Sequence, residues 1–200
     1  MTDEATSQAT RVTAGDQGQP YISIPSNLPG VGGLTLFKPA LGEKLQAFTQ
    51  QLLRGPSPLS EAERELIAAY VSTGNQTTFC IRTHSATAAA LLGENRQAVL
   101  SMIEDVDTAP ISEKMRALLR IADKVRRSGL DVGPQDVEEA RSAGAADEDI
   151  HDAVLVAAAF CMYNRYVDGL RAITPTDDAV YDVIAQRLAQ TGYGVPKKRD

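Results

Sequence analysis

The chain has no Trp, and its aromatic residues amount to 5% of 200. Runs of β-branched and aromatic residues are scarce while Ala is abundant, which disfavours sheets and favours helices. Two Cys, far apart, do not make a disulfide framework, and a reducing cytoplasm is the simplest location. Two His, with no second thiolate near either, leave little from which to build a zinc site. No apolar run approaches the ~20 residues of a membrane span. The opening MTDEATSQATRV lacks the basic and apolar regions of a signal peptide. Positive charge is in deficit: a net charge of −6 argues against nucleic acid or an anionic membrane surface as the main partner.

What is present suits one domain with an arm. Apolar residues make up 43%, enough for a substantial core. Residues 1–33 are expected to form the arm. Its first 18 residues are polar and disordered in composition. The Pro- and Gly-punctuated PYISIPSNLPGVGG then runs extended, with Tyr21, Ile22, Ile24 and Leu28 lying on a surface, a neighbouring copy's rather than its own. Residues 34–192 carry helical patterns, and 193–200 read as a tail. Ser112 opens a strongly amphipathic helix whose Lys124, Arg126 and Arg127 suit its C-terminal end. The run VLVAAAFCMYNRYVDGL is apolar almost all round and predicts a buried helix.

The most informative stretch is LSEAERELIAAYVSTGNQTTFCIRTHSATAAALLG, residues 59–93. Ser60 with Glu63 forms a capping box at the start of one helix. Gly74-Asn75 is expected to end it in a left-handed conformation, and a second helix runs from Thr77 to Leu92, ending at Gly93. Cys80 and His84, four apart, share a face of that helix. The turn lies midway between Glu65 and His84, so antiparallel helices bring those two to the same height. A thiol, an imidazole and a carboxylate can then converge, the arrangement that generates a thiolate. The plainer reading of Cys80 is a small core residue.

LLRGPSPLSEAERELIAAYVSTGNQTTFCIRTHSA resembles the AhpD-like, carboxymuconolactone-decarboxylase superfamily, especially its peroxidase-related branch. Glu65, Asn75, Phe79, Cys80 and His84 stand at the branch's motif positions, and FCMYNRYVDGL resembles its closing helix; the resemblance covers residues 34–173. It implies an all-α, AhpD-like domain of about seven or eight helices that assembles as a homo-oligomer. It also implies thiol-dependent peroxidase chemistry without a cofactor or metal. Cys80 would attack a hydroperoxide, with His84 as base and acid and Glu65 holding its tautomer. Thr77 replaces the first Cys of the family's pair, so regeneration calls for an external thiol or Cys161. The same superfamily includes carboxymuconolactone decarboxylase, which implies a second reading: acid–base chemistry by Glu65 and His84 on an organic acid, with Cys80 a bystander. A third is a non-catalytic oligomeric member.

Other residues read more plainly. Cys161 is expected in the core and His151 exposed at a helix start. Asn164, Arg165 and Asp168 lie in an otherwise apolar helix and need partners, with an Arg–carboxylate pair across helices the main expectation. Thr77 is expected to cap the Cys80 helix with its hydroxyl, placing Cys80 where the helix dipole favours a thiolate. Arg82 is expected to point away from Cys80.

Overall fold

The computed structural model describes residues 19–194. Among them are nine α-helices, one 3-10 turn and no strand, the all-α architecture expected. The helices are α1 (Gly30–Thr35), α2 (Pro39–Arg54), α3 (Glu61–Gly74), α4 (Thr78–Leu92), α5 (Arg96–Glu104), α6 (Glu113–Arg127), α7 (Pro134–Ser142), α8 (Asp147–Gly169) and α9 (Asp178–Thr191). α1 begins inside the stretch expected to be extended, and no helix among these residues is long and apolar enough to cross a membrane.

Local chemistry sets many of the ends. Ser60 Oγ accepts from the Glu63 N–H at 3.2 Å while Glu63 accepts from the Ser60 N–H at 2.8 Å, closing the expected capping box. Ser112 caps α6 through the Met115 N–H, and Gly93 ends α4 at φ +71°. The break between α3 and α4 differs from expectation. α3 includes Gly74, Asn75 is right-handed, and Gln76 takes the positive φ of 61°. Gly74 serves close packing instead: a Cβ there would lie 2.3 Å from Arg126 Nε, and Arg126 donates to the Gly74 carbonyl.

The α3–α4 hairpin is the centre of the molecule. α9 lies along α4, while α6 and α8 pack on α3. Two apolar clusters result. The larger joins Leu53, Ile67, Leu118, Val156 and Phe160 across α2, α3, α6 and α8. The smaller gathers Leu34, Phe79, Cys80, Val167 and Tyr181 from α1, α4, α8 and α9. Burial of such side chains contributes roughly 1.5–3 kcal/mol each before entropy is counted.

Several expectations change here. The arm from residue 19 lies on its own chain: Tyr21 N–H donates to Leu170 O, Gly30 N–H to Ile173 O, and Arg171 stacks over the Tyr21 ring. α8 is not buried all round, since Leu155 and Met162 are exposed. Arg165 is exposed and donates to the Cys161 carbonyl of its own helix, so the expected cross-helix carboxylate pair does not form. Asn164 is the buried polar residue, donating to Ser72 Oγ and accepting from Asn75. His151 is exposed beside Asp152 as expected. Residues 1–18 and 195–200, on which the expectation of disorder and most of the expected tail fall, lie outside the described residues.

Candidate active site

The hairpin register brings Glu65 and His84 together. Glu65 is completely buried on α3, and its Oε2 lies 2.7 Å from Nδ1 of His84 on α4. Its other oxygen, Oε1, accepts from Arg54 Nη2 at 2.6 Å and from the Tyr193 hydroxyl at 2.7 Å. Burial by itself would raise the Glu65 carboxyl. The His84 hydrogen bond and charge, the Arg54 guanidinium and the Tyr193 hydroxyl outweigh it and hold the group below its ordinary value. Glu65 is therefore a carboxylate and accepts only, which makes Nδ1 of His84 the donor. Burial, and then the Glu65 charge, push the Tyr193 phenol well above its ordinary value, so it stays a neutral donor. Tyr193 lies nearly parallel to the His84 ring, and Phe160 meets that ring edge-on with centroids 4.5 Å apart.

Nε2 of His84 has no hydrogen-bond partner among the described residues, yet it is not a sealed atom, and His84 lines a cavity of about 530 Å³. The walls come from α1, α2, α4, α8 and α9 and are mainly apolar, with Leu36, Leu45, Phe79, Phe160, Ile184 and Leu188 among them. One nitrogen of the imidazole is thus fixed from behind by an ionised carboxylate, and the other opens on a mainly apolar chamber. Such a geometry is chemically able to accept a proton and to stabilise an imidazolium.

Cys80 lines the same cavity but is 1% exposed and makes no hydrogen bond to His84 among the described residues. Burial pushes its thiol up to about 12. A hydrogen bond with Asn164 works against the rise, and the Asp168 charge adds to it. The expected help from the helix start is overridden by this desolvation. Thr77 stands at the N-cap position without capping: its hydroxyl donates to Asp168 Oδ2 at 2.5 Å. Cys161 lies elsewhere, its sulfur against the Asn75 amide at 3.7 Å and the Arg126 carbonyl at 3.9 Å. The two thiols therefore contact different members of the Asn75–Asn164 pair. Arg82 points away from Cys80, to the carbonyls of Pro175 and Thr176.

Arg54 and Tyr193 were not legible as site residues. Arg54 reads as a basic residue in a last helical turn. Tyr193 reads as part of the tail, yet Gly192 at φ +68° turns the chain back, and Gln50 Oε1 accepts from the N–H groups of Tyr193 (2.6 Å) and Gly194 (3.0 Å). The only local signal was the Gly after α9, a helix stop that says nothing of where the next residue goes. Among the described residues, no three His, Cys, Asp or Glu side chains cluster as a metal site.

Residues 39–124 match the model of the carboxymuconolactone decarboxylase family. The fold is shared with an uncharacterized peroxidase-related protein from Silicibacter sp. TM1040. That match has 29% identity and a TM-score of 0.70, covering 77% of this chain and 78% of that one. An uncharacterized peroxidase-related protein with an alkylhydroperoxidase AhpD core, from Ralstonia eutropha JMP134, matches at 24% identity and a TM-score of 0.70, over 80% of this chain and 82% of that one. A protein of unknown function from Agrobacterium tumefaciens matches at 21% identity and a TM-score of 0.62, over 72% and 97%. No curated protein matches the chain. The chain has an AhpD-like helical fold, and its residues 39–124 are similar to the carboxymuconolactone decarboxylase family. The family match contains Arg54, Glu65, Cys80 and His84, and Tyr193 lies outside it.

Proposed function

We propose that the cavity is the active site of an acid–base enzyme acting on a small organic substrate. Nε2 of His84 takes a proton from the bound molecule and returns it later in the turnover. Glu65 steadies the imidazolium, and Arg54 and Tyr193 keep Glu65 ionised. The observation that carries this reading is the 2.7 Å Glu65–His84 contact, with the opposite imidazole nitrogen open to the cavity. The test is turnover of carboxymuconolactone, and separately of cumene hydroperoxide with dithiothreitol, by the wild type, Cys80→Ala and His84→Gln. Lactone turnover that survives Cys80→Ala and is lost in His84→Gln is the expected result. Loss in Cys80→Ala overturns it.

A second reading is favoured by Cys80 lining the same cavity as His84. In it the Cys80 thiol passes its proton to Nε2 of His84, and the resulting thiolate attacks the O–O bond and becomes a sulfenic acid. The leaving alkoxide takes a proton from His84, and an external thiol reduces the sulfenic acid through a mixed disulfide. A substrate-induced rearrangement would have to ionise the buried thiol first, which is why this reading stands second. Peroxide turnover lost in Cys80→Ser and kept in Cys161→Ser is its signature.

We also propose that the chain works as a homo-oligomer. On α8 Met162 is 44% exposed and Leu155 is also exposed, and Phe37, Leu41 and Phe48 are exposed beside or on α2, which packs near α8. A second copy would cover these side chains.

A further inference from the structure

The cavity carries charge of one sign. Among the described residues its lining side chains include one guanidinium, Arg187, and no carboxylate, in a chain whose net charge is −6. The nearest described acid on the His84 side, Glu65, is already saturated by His84, Arg54 and Tyr193. Nearby cations are paired: Arg54 with Glu65, and Arg82 and Arg96 with Asp178. Arg187 has no carboxylate within salt-bridge distance among the described residues. It is exposed while lining the cavity, which places it at the mouth, one helical turn before Thr191 and close enough to influence Tyr193 electrostatically.

From these features we infer that the cavity binds an apolar monocarboxylate, its carboxylate on Arg187 at the mouth and its hydrocarbon body against the α1, α2 and α4 walls, reaching toward His84. A volume of about 530 Å³ is ample for such a molecule. An ammonium would face the Arg187 guanidinium at the mouth. A neutral hydrocarbon would fill the walls and gain nothing from Arg187. The inference deepens the acid–base reading, which it uses only to say which end of the ligand meets His84.

The test compares octanoate, octan-1-ol and octylammonium by calorimetric titration at low salt, where an exposed charge pair is least screened. His84 is one of only two histidines, and the exposed His151 serves as an internal control for imidazole proton shifts in NMR. Octanoate is expected to bind about tenfold more tightly than octan-1-ol, a difference of about 1.4 kcal/mol, and to shift His84 but not His151. Arg187→Gln is expected to bring octanoate down to the octan-1-ol affinity without changing the latter, and Arg187→Lys to keep the order. Equal affinities in the wild type, preference for octylammonium, an unaltered preference in Arg187→Gln, or no shift at His84 would each overturn the inference. His84→Gln is expected to retain the octanoate preference. A preference retained where His84 proves dispensable for turnover would overturn the acid–base reading and support this one.

Discussion

Nδ1 of His84 and Oε2 of Glu65 lie 2.7 Å apart across nineteen positions of sequence. The contact joins the middle of α3 to the middle of α4 and is sealed by Arg54 and Tyr193, which together occupy the other carboxylate oxygen. A completely buried carboxylate is tolerable here because each of its oxygens has a donor.

Replacing Glu65 with Gln removes the buried carboxylate that pairs with Arg54 and leaves that guanidinium only the half-exposed Glu61 at 3.2 Å. The expected cost is about 3–5 kcal/mol of unfolding free energy, read by urea denaturation. The pH dependence should change as well. The folded-state carboxyl is held below its ordinary value, so its stabilising contribution is present above the unfolded value of about 4.3 and is lost as pH falls through the folded value. Stability of the wild type should therefore fall more steeply below about pH 4 than that of Glu65→Gln.

Tyr193→Phe removes one charge-assisted hydrogen bond and leaves the ring. A loss of about 1.5–3 kcal/mol is expected. If Tyr193 positions the catalytic pair, lactone turnover should fall with little change in KM, as separate kcat and KM measurements would show.

Cys80 should react with iodoacetamide in the native protein on the order of 100-fold or more slowly than half-buried Cys161 at pH 8, because burial raises its thiol to about 12. Mass spectrometry after timed labelling checks this, and the difference should vanish in denaturant. The sign of the linkage is opposite to that of Glu65. Stability from keeping the thiol neutral is present below the unfolded value of about 8.5 and is lost as pH rises toward about 12.

Gly30→Ala should be disruptive. Gly30 has φ +58°, and a Cβ there would lie 1.9 Å from a Phe79 ring carbon. Displacing Phe79, which lines the cavity, should cost about 1–3 kcal/mol from overpacking alone. Thermal denaturation, together with octanoate titration, reads both effects.

Met162→Asp places a charge on the exposed apolar face of α8. If that face meets a second copy, sedimentation should show dissociation to monomers with helical circular dichroism unchanged. An unchanged assembly would assign the interface elsewhere.

The sequence by itself determined most of the helices and the Glu65–His84 pair. The Ser60–Glu63 box, the Ser112 cap and the Gly93 stop are local hydrogen-bond and backbone preferences, readable without a fold. The Glu65–His84 contact was legible too, because a short turn fixes the register of two antiparallel helices. Tertiary structure alone decided the rest. Whether Cys80 is a thiolate depends on desolvation by α8 and α9, against which a position in the first helical turn counts for little. Asp168, far along the chain, takes the Thr77 hydroxyl from its expected capping role. Arg54, Arg187 and Tyr193 reach the site only because α2, α9 and the residues after α9 converge on α4, and long-range packing of that kind leaves no periodic trace in the chain.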